Sequence, residues 1–257
     1  MNGEISQASR IVAAARKAMK DGGEYSFTPL GYEESTAFNF CDRNKSGAPL
    51  FRAKDPADWF AHLKSEGVVN IFMILGMKND YRTLGFSNSS GTSIFVRYGD
   101  NTVTRFAPVW KMNPETTRWN IEYTEHIAEN APASDPAFRN ESSLMEAALK
   151  DITELAKQLG ETGFEHTFHK AYEILTGGIE PKLKSGAVVP SIPEDRMKGY
   201  LAADVSDVFG AMGSWNDAPA VIARDKGLEK DYLTLSERLM CAGRLMVMYA
   251  VNFPISE

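Results

Sequence analysis

The 257-residue chain carries 34 acidic and 28 basic side chains, for a net charge of −6, with 43% apolar and 24% charged residues. These are ordinary globular values, enough to bury a real core and far from a low-complexity tract. The acidic side chains are unevenly placed. Between Asn113 and Glu180 there are 13 acids and 5 bases, leaving 21 acids and 23 bases elsewhere, a balance that reads either as a set of solvated helix faces or as a surface that disfavours nucleic acid and favours a basic partner. Cys41 and Cys241 stand far apart with no CxxC or metal spacing, which fits a reducing compartment. The first twenty residues hold only Ile11 to Ala15 as a continuous apolar run, too short for a secretory signal core. No segment approaches the ~18 apolar residues of a membrane span. The expectation is a cytoplasmic chain without a membrane partner.

Glu4 to Lys20 reads as a helix with Ile5, Ala8, Ile11, Val12, Ala15 and Met19 on one stripe, stopped by Gly22-Gly23. Tyr25 to Leu30 and Thr36 to Phe40 are short extended segments, and Asn44 to Pro49 is a loop. Asp55-Pro56 opens a second helix, with Asp as N-cap and Pro at the first helical position. Trp59, Phe60 and Leu63 face inward there, and Gly67 closes it.

The stretch from Gly67 to Thr124 reads as strands divided by short turns. Val68 to Leu75 is almost unbroken apolar sequence, as in a strand covered on both faces. Tyr81 to Phe86 follows a Lys78-Asn79-Asp80 turn, and Asn88 to Gly91 is a loop. Ser93 to Tyr98 and Thr102 to Trp110 flank Gly99-Asp100-Asn101, the clearest hairpin signal. An even loop there places Ile94, Val96 and Tyr98 with Val103, Ala107 and Val109, leaving Arg105 on an otherwise apolar face, where it either pairs with a carboxylate from the C-terminal helices or lies where the sheet ends. Thr117 to Thr124 alternates, with Trp119, Ile121 and Tyr123 on one side and Arg118, Asn120 and Glu122 on the other. Short loops predict antiparallel pairing, because a parallel crossover needs a dozen or more residues. The expected fold is α+β: an antiparallel meander of about five strands, an N-terminal helix and a C-terminal helical layer. It is organised as a single domain, 1–257, with a sheet-containing half (1–129) and a helical half (141–257).

In the helical half, Ser143 with Glu146, Thr162 with Glu165 and Ser191 with Glu194 read as capping boxes that start three helices. Gly160 and Gly177-Gly178 stop the first two. The third is lined by Met197, Leu201, Val205, Val208 and Met212, with Gly213 at its C-cap. Pro219 begins a short helix, and a final one runs over about Glu229 to Phe253.

No motif of catalysis emerges, and neither a catalytic residue nor a cofactor is expected. There is no GxSxG, and neither Cys has a nearby His. Gly85 to Gly91 (GFSNSSG) lacks the spacing and the Lys of a phosphate loop, so it reads as a plain loop. His166, His169 and Glu173 share one helix side, with the chemistry of zinc ligands, but Lys170 beside them and the opposite stripe of Phe164, Phe168 and Tyr172 make this a solvated face. Asp204 and Asp207 are helix neighbours read as surface residues.

The most unusual stretch is Phe209 to Asp217 (FGAMGSWND). Two readings fit it: a structural corner with Trp215 in the core, or a presented Trp flanked by polar groups, as interface anchors are. GAMGSWND, after one helix and before a long C-terminal one, resembles a feature of bacterial immunity proteins that neutralise polymorphic or type VI secreted toxins. The aromatic strands around Trp110 and Trp119 are compatible with it. The resemblance implies a non-enzymatic protein whose partner is a cognate toxin, often a nuclease, blocked by occlusion. Charge and aromatic area coincide at Trp119, Glu122 and Glu125, and again at Trp215 and Asp217. These five are the expected partner-binding residues. The alternative is an enzyme or small-ligand binder with a pocket between sheet and helices.

Overall fold

The computed structural model describes residues 1–43, 48–77, 85–128, 134–180 and 190–255. They divide into two compact units. A helical unit comprises Met1–Ser6, Gly76–Ser90 and Phe138–Ala250, and a sheet unit comprises Gln7–Leu75, Gly91–Ala137 and Val251–Glu257. The chain passes between them several times, so the units do not follow a single cut in the sequence. Helix α1 (Gly3–Asp21) contributes its first residues to the helical unit and the rest to the sheet unit.

In the sheet unit, strands β1 (Glu33–Cys41) and β2 (Pro49–Ala53) precede helix α2 (Pro56–Ser65). Strands β3 (Val68–Ile74), β4 (Ser93–Tyr98), β5 (Val103–Asn113) and β6 (Arg118–Ile127) follow. The six strands form one sheet in the order β2-β1-β6-β5-β4-β3. From β3 to β6 neighbouring strands pair antiparallel, with short turns from β4 to β5 and from β5 to β6; β3 reaches β4 only after residues 75–92, so that pairing does not rest on a short turn. The sheet is nevertheless mixed, because β1 joins in parallel against β6, with Thr36 opposite Ile121 and Phe38 opposite Tyr123. No turn connects those two strands, so no turn signal could announce their pairing. Of the expected strand at Tyr81 to Phe86, residues 81–84 lie outside the described residues, and Gly85 and Phe86 are not in a strand.

The β4–β5 hairpin corrects the even-loop register. Ile94 faces Phe106 and Val96 faces Thr104, and Tyr98 N–H donates to Thr102, which leaves a three-residue loop, Gly99 to Asn101. Asn101 takes φ of +69°, the left-handed residue that such a loop needs. Asp100 Oδ1 accepts from Thr102 N–H at 2.9 Å, bracing the turn. The apolar set is therefore Ile94, Val96, Tyr98, Phe106 and Trp110, all buried, and Arg105 is exposed on the other face. It has no need of a buried carboxylate.

The core of the sheet unit is aromatic. Phe38 stacks between Trp59 and Tyr123 with ring centroids 4.8 Å away on each side, and Phe106 meets Phe38 and Trp59 edge-on. Helix α2 delivers Trp59, Phe60 and Leu63 to this core as its sequence predicts. Asp55 accepts from Asp58 N–H at its N-cap, and Gly67, at φ +74°, ends the turn that follows. Glu125 is the polar exception on the buried face of β6. It is 3% exposed and accepts from Cys41 N–H and Tyr98 O–H, each at 3.0 Å. Burial, together with the neighbouring Glu125 carboxylate, pushes the Cys41 thiol up to about 11, so it stays protonated at neutral pH.

The helical unit holds α3 (Ser142–Leu159), α4 (Thr162–Thr176), α5 (Glu194–Ser206), α6 (Ala218–Asp225) and α7 (Glu229–Val251), of which the last residue belongs to the sheet unit. The three predicted capping boxes do not form. The N-cap positions are Glu141, Glu161 and Pro193, and none makes a side-chain capping bond. Ser143 and Thr162 sit inside the first turn, and Glu146 bonds Lys150 instead. The stops are as predicted for α3 and α4, where Gly160 and Gly177 take φ of +82° and +80°. The α5 stop is not: the helix ends at Ser206, seven residues before Gly213. No helix among the described residues is long and apolar enough to cross a membrane.

Replacing Glu125 with Ala strands two buried donors and is expected to cost on the order of 2–5 kcal/mol in urea unfolding. Arg105→Ala on the exposed face should stay within about 0.5 kcal/mol. Equal costs for the two would overturn the three-residue register.

Candidate functional site

Two loops of the helical unit stand out for how firmly they are held and what they expose. The first follows Gly85. Its anchor is Glu4 in the first turn of α1, 6% exposed, whose carboxylate accepts from the backbone N–H groups of Asn88 and Ser90. Asn88 adopts φ of +64°, and its N–H and that of Ser90, two residues on, reach the two oxygens of the one carboxylate. The GFSNSSG loop thus cradles an anion after all, but the anion is the chain's own carboxylate.

The second loop is the unusual stretch between α5 and α6. Trp215 roots it. The indole is fully buried, its Nε1 donates to Ser236 Oγ at 2.8 Å, and Tyr232 stacks on it at 5.4 Å. Phe164 and Phe168 meet it edge-on at 5.2 and 5.1 Å. Its backbone is held as well, N–H to Val208 O at 3.0 Å and C=O from Tyr232 O–H at 2.7 Å. Asn216 then clamps Gly210 from both sides: Oδ1 accepts from Gly210 N–H at 2.8 Å and Nδ2 donates to Gly210 O at 2.9 Å. Asp217 Oδ2 accepts from Gly213 N–H, also at 2.8 Å. The polar residues around Trp215 are spent on the loop's own backbone.

The two loops touch backbone to backbone. A Cβ on Gly85 would lie 2.6 Å from Ala211 N and from Gly210 C and O, so only glycine permits this approach. From the adjoining positions two large apolar side chains project into solvent, Phe86 at 72% exposure and Met212 at 94%. Single exposed apolar residues are common; these two flank the point where the loops meet backbone to backbone.

The five expected partner-binding residues fare unevenly. Trp215 is core, so the presented-Trp reading is corrected in favour of the structural corner. Glu125 is buried and occupied, and cannot steer a partner. Glu122 is half-buried and pairs with Arg52 at 2.7 Å. Trp119 is half-buried, packed edge-on to Trp110 and opposite the exposed Met112. Asp217 is exposed, on the same loop as Met212. Trp119 belongs to the sheet unit and Trp215 to the helical unit. Sequence reasoning missed Phe86, which it placed in a strand, and Met212, which it placed on the inner face of α5. The usable signal was Gly210 and Gly213 bracketing Met212, a spacing that favours a turn over continued helix.

The other candidates resolve simply. His166 and His169 lie on an exposed face, with His169 Nε2 3.8 Å from Glu173. No group of three or more His, Cys, Asp or Glu placed to hold a metal occurs among the described residues. Asp204 pairs with the Met1 ammonium at 2.8 Å and Asp207 accepts from Asn2 N–H at 2.7 Å, so both are structural. Comparison of the chain with protein-family models, with curated proteins and with solved structures gives no match.

Trp215→Ala should cost about 3–5 kcal/mol in thermal or urea unfolding, because it empties a fully packed aromatic socket. Met212→Ala should leave stability within about 0.5 kcal/mol. A Trp215→Ala protein as stable as the parent would remove the basis for a rooted loop.

Proposed function

We propose that the chain is a non-enzymatic binding protein of the toxin-neutralising kind, and that it meets its partner through the tip formed by Phe86 and Met212. The observation that carries this reading is the exposure of those two side chains on loops fixed by buried clamps. Such a tip loses little conformational freedom on binding, and aromatic residues and Met are favoured where interfaces desolvate. The resemblance of GAMGSWND to immunity proteins falls on the same loop, with Met212 rather than Trp215 as its contact residue.

Electrostatic steering plays a smaller part in this reading than the sequence suggests. Within the acidic middle, Glu122 is paired with Arg52, Asp135 with Arg97, Glu146 with Lys150 and Asp151 with Arg238. Apolar contact at the tip supplies the affinity, and unpaired acids such as the exposed Glu115 supply a modest, salt-screened pull on a basic partner.

The experiment is co-expression with a toxin encoded beside the gene. Protection from toxicity should be lost in a Phe86→Asp/Met212→Asp double variant whose melting temperature is unchanged. In surface kinetics each single Ala variant should raise the dissociation rate, at a cost on the order of 2 kcal/mol. Full protection by a stable double variant would sink the proposal, as would the absence of any neutralising effect of the parent chain.

A further inference from the structure

The sheet unit contains a cleft of about 420 Å³, within the roughly 300–1,000 Å³ typical of small-molecule sites. It lies between the segment leading into β1, the first residues of β1 and the N-terminus of α2. Its floor is built from a buried polar network. Glu33, 1% exposed, pairs with Arg10 and accepts from Gln7 Nε2 at 3.0 Å; Gln7 also bonds Thr36 and Tyr123. Arg10 lies over the Phe27 ring, 4.9 Å from its centroid. Glu33 is thereby neutralised and both its oxygens are used.

The other two carboxylates of the lining are only half used. Three donors converge on Glu34 Oε2: Asn113 at 2.9 Å, Thr116 at 3.1 Å and Asn120 at 3.2 Å, leaving Oε1 without a donor among the described residues. These bonds, that of Asn113 first, hold the Glu34 carboxyl below its usual range, so it is ionised at neutral pH. Asp55 caps α2 through Oδ1, at 2.8 Å from Asp58 N, leaving Oδ2 without a donor among the described residues. Arg10 Nε and the Tyr25 hydroxyl, buried and without a hydrogen-bond partner among the described residues, do not belong to the lining. What the cleft offers is therefore two anionic acceptors beside the apolar surface of Phe27, Pro29 and Pro56, with Lys54 as the opposing charge.

We propose that this cleft binds a small organic cation, an amine or guanidinium on a short apolar body, whose charge is taken up by Glu34 Oε1 and Asp55 Oδ2. Carboxylates with spare lone pairs favour such a charge, and the apolar lining suits its body. The site lies in the other unit from the Phe86–Met212 tip and does not depend on the reading of that tip.

The test is calorimetric titration of the full chain with benzylamine and agmatine as cations, benzyl alcohol as the neutral control and benzoate as the anion. The cations should bind more tightly than about 1 mM and the other two should not. Glu34→Gln/Asp55→Asn keeps the cap, since Asn caps as well as Asp, and should weaken cation binding about tenfold or more at unchanged melting temperature. Lys54→Met removes the rival charge and should tighten it several-fold. Binding of benzoate, no binding of either cation, or cation binding indifferent to the double substitution would each overturn the proposal.

Discussion

The helical unit depends on the burial of one indole. Trp215 carries a hydrogen-bond donor that would be costly to bury unpaired, and Ser236 on α7 receives it. Phe164 and Phe168 from α4 and Tyr232 from α7 close around the rings, so one residue ties a loop to two helices. Everything unusual about the stretch from Val208 to Asp217 follows from that anchor. The loop cannot continue α5, because Trp215 must turn back to its socket, and the polar residues on either side then hold the detour in shape.

The sheet unit solves a related problem with carboxylates. Glu125 and Glu33 are both buried, and each is charged with organising backbone or network partners rather than facing solvent. Glu4 does the same for the loop after Gly85 in the helical unit. A buried carboxylate that accepts several N–H or O–H groups defines position more sharply than apolar packing does, because removing it strands its donors. These three residues fix where segments distant in sequence come to rest.

Much of this was legible in advance where the signal was local. The Asp55-Pro56 start of α2, the antiparallel β4–β5 and β5–β6 pairings and the Gly160 and Gly177 stops all follow from neighbouring residues. The misses share another cause. The parallel β1–β6 pairing and the buried role of Glu125 are long-range outcomes with no nearby mark. The capping boxes failed although the pattern was present, since the helices began a residue or more away from the Ser or Thr assigned to cap them. Hairpin register went wrong because Asn101 tolerates a left-handed conformation, so a three-residue loop cost less than parity of the apolar set suggested. At the tip, Met212 was counted as one more apolar helical position. Hydrophobic period cannot distinguish a residue continuing a stripe from one just past the helix end.

The contact between Gly85 and Gly210–Ala211 separates two kinds of positions on the same loops. Root residues such as Trp215, Asn216 and Glu4 are locked to the interior, and Gly85 is locked by the close approach of two backbones. Phe86 and Met212 are bound by neither requirement. Substitution is therefore cheap at Phe86 and Met212 and costly at the root. A chain built this way can change those two side chains without renegotiating the architecture that displays them.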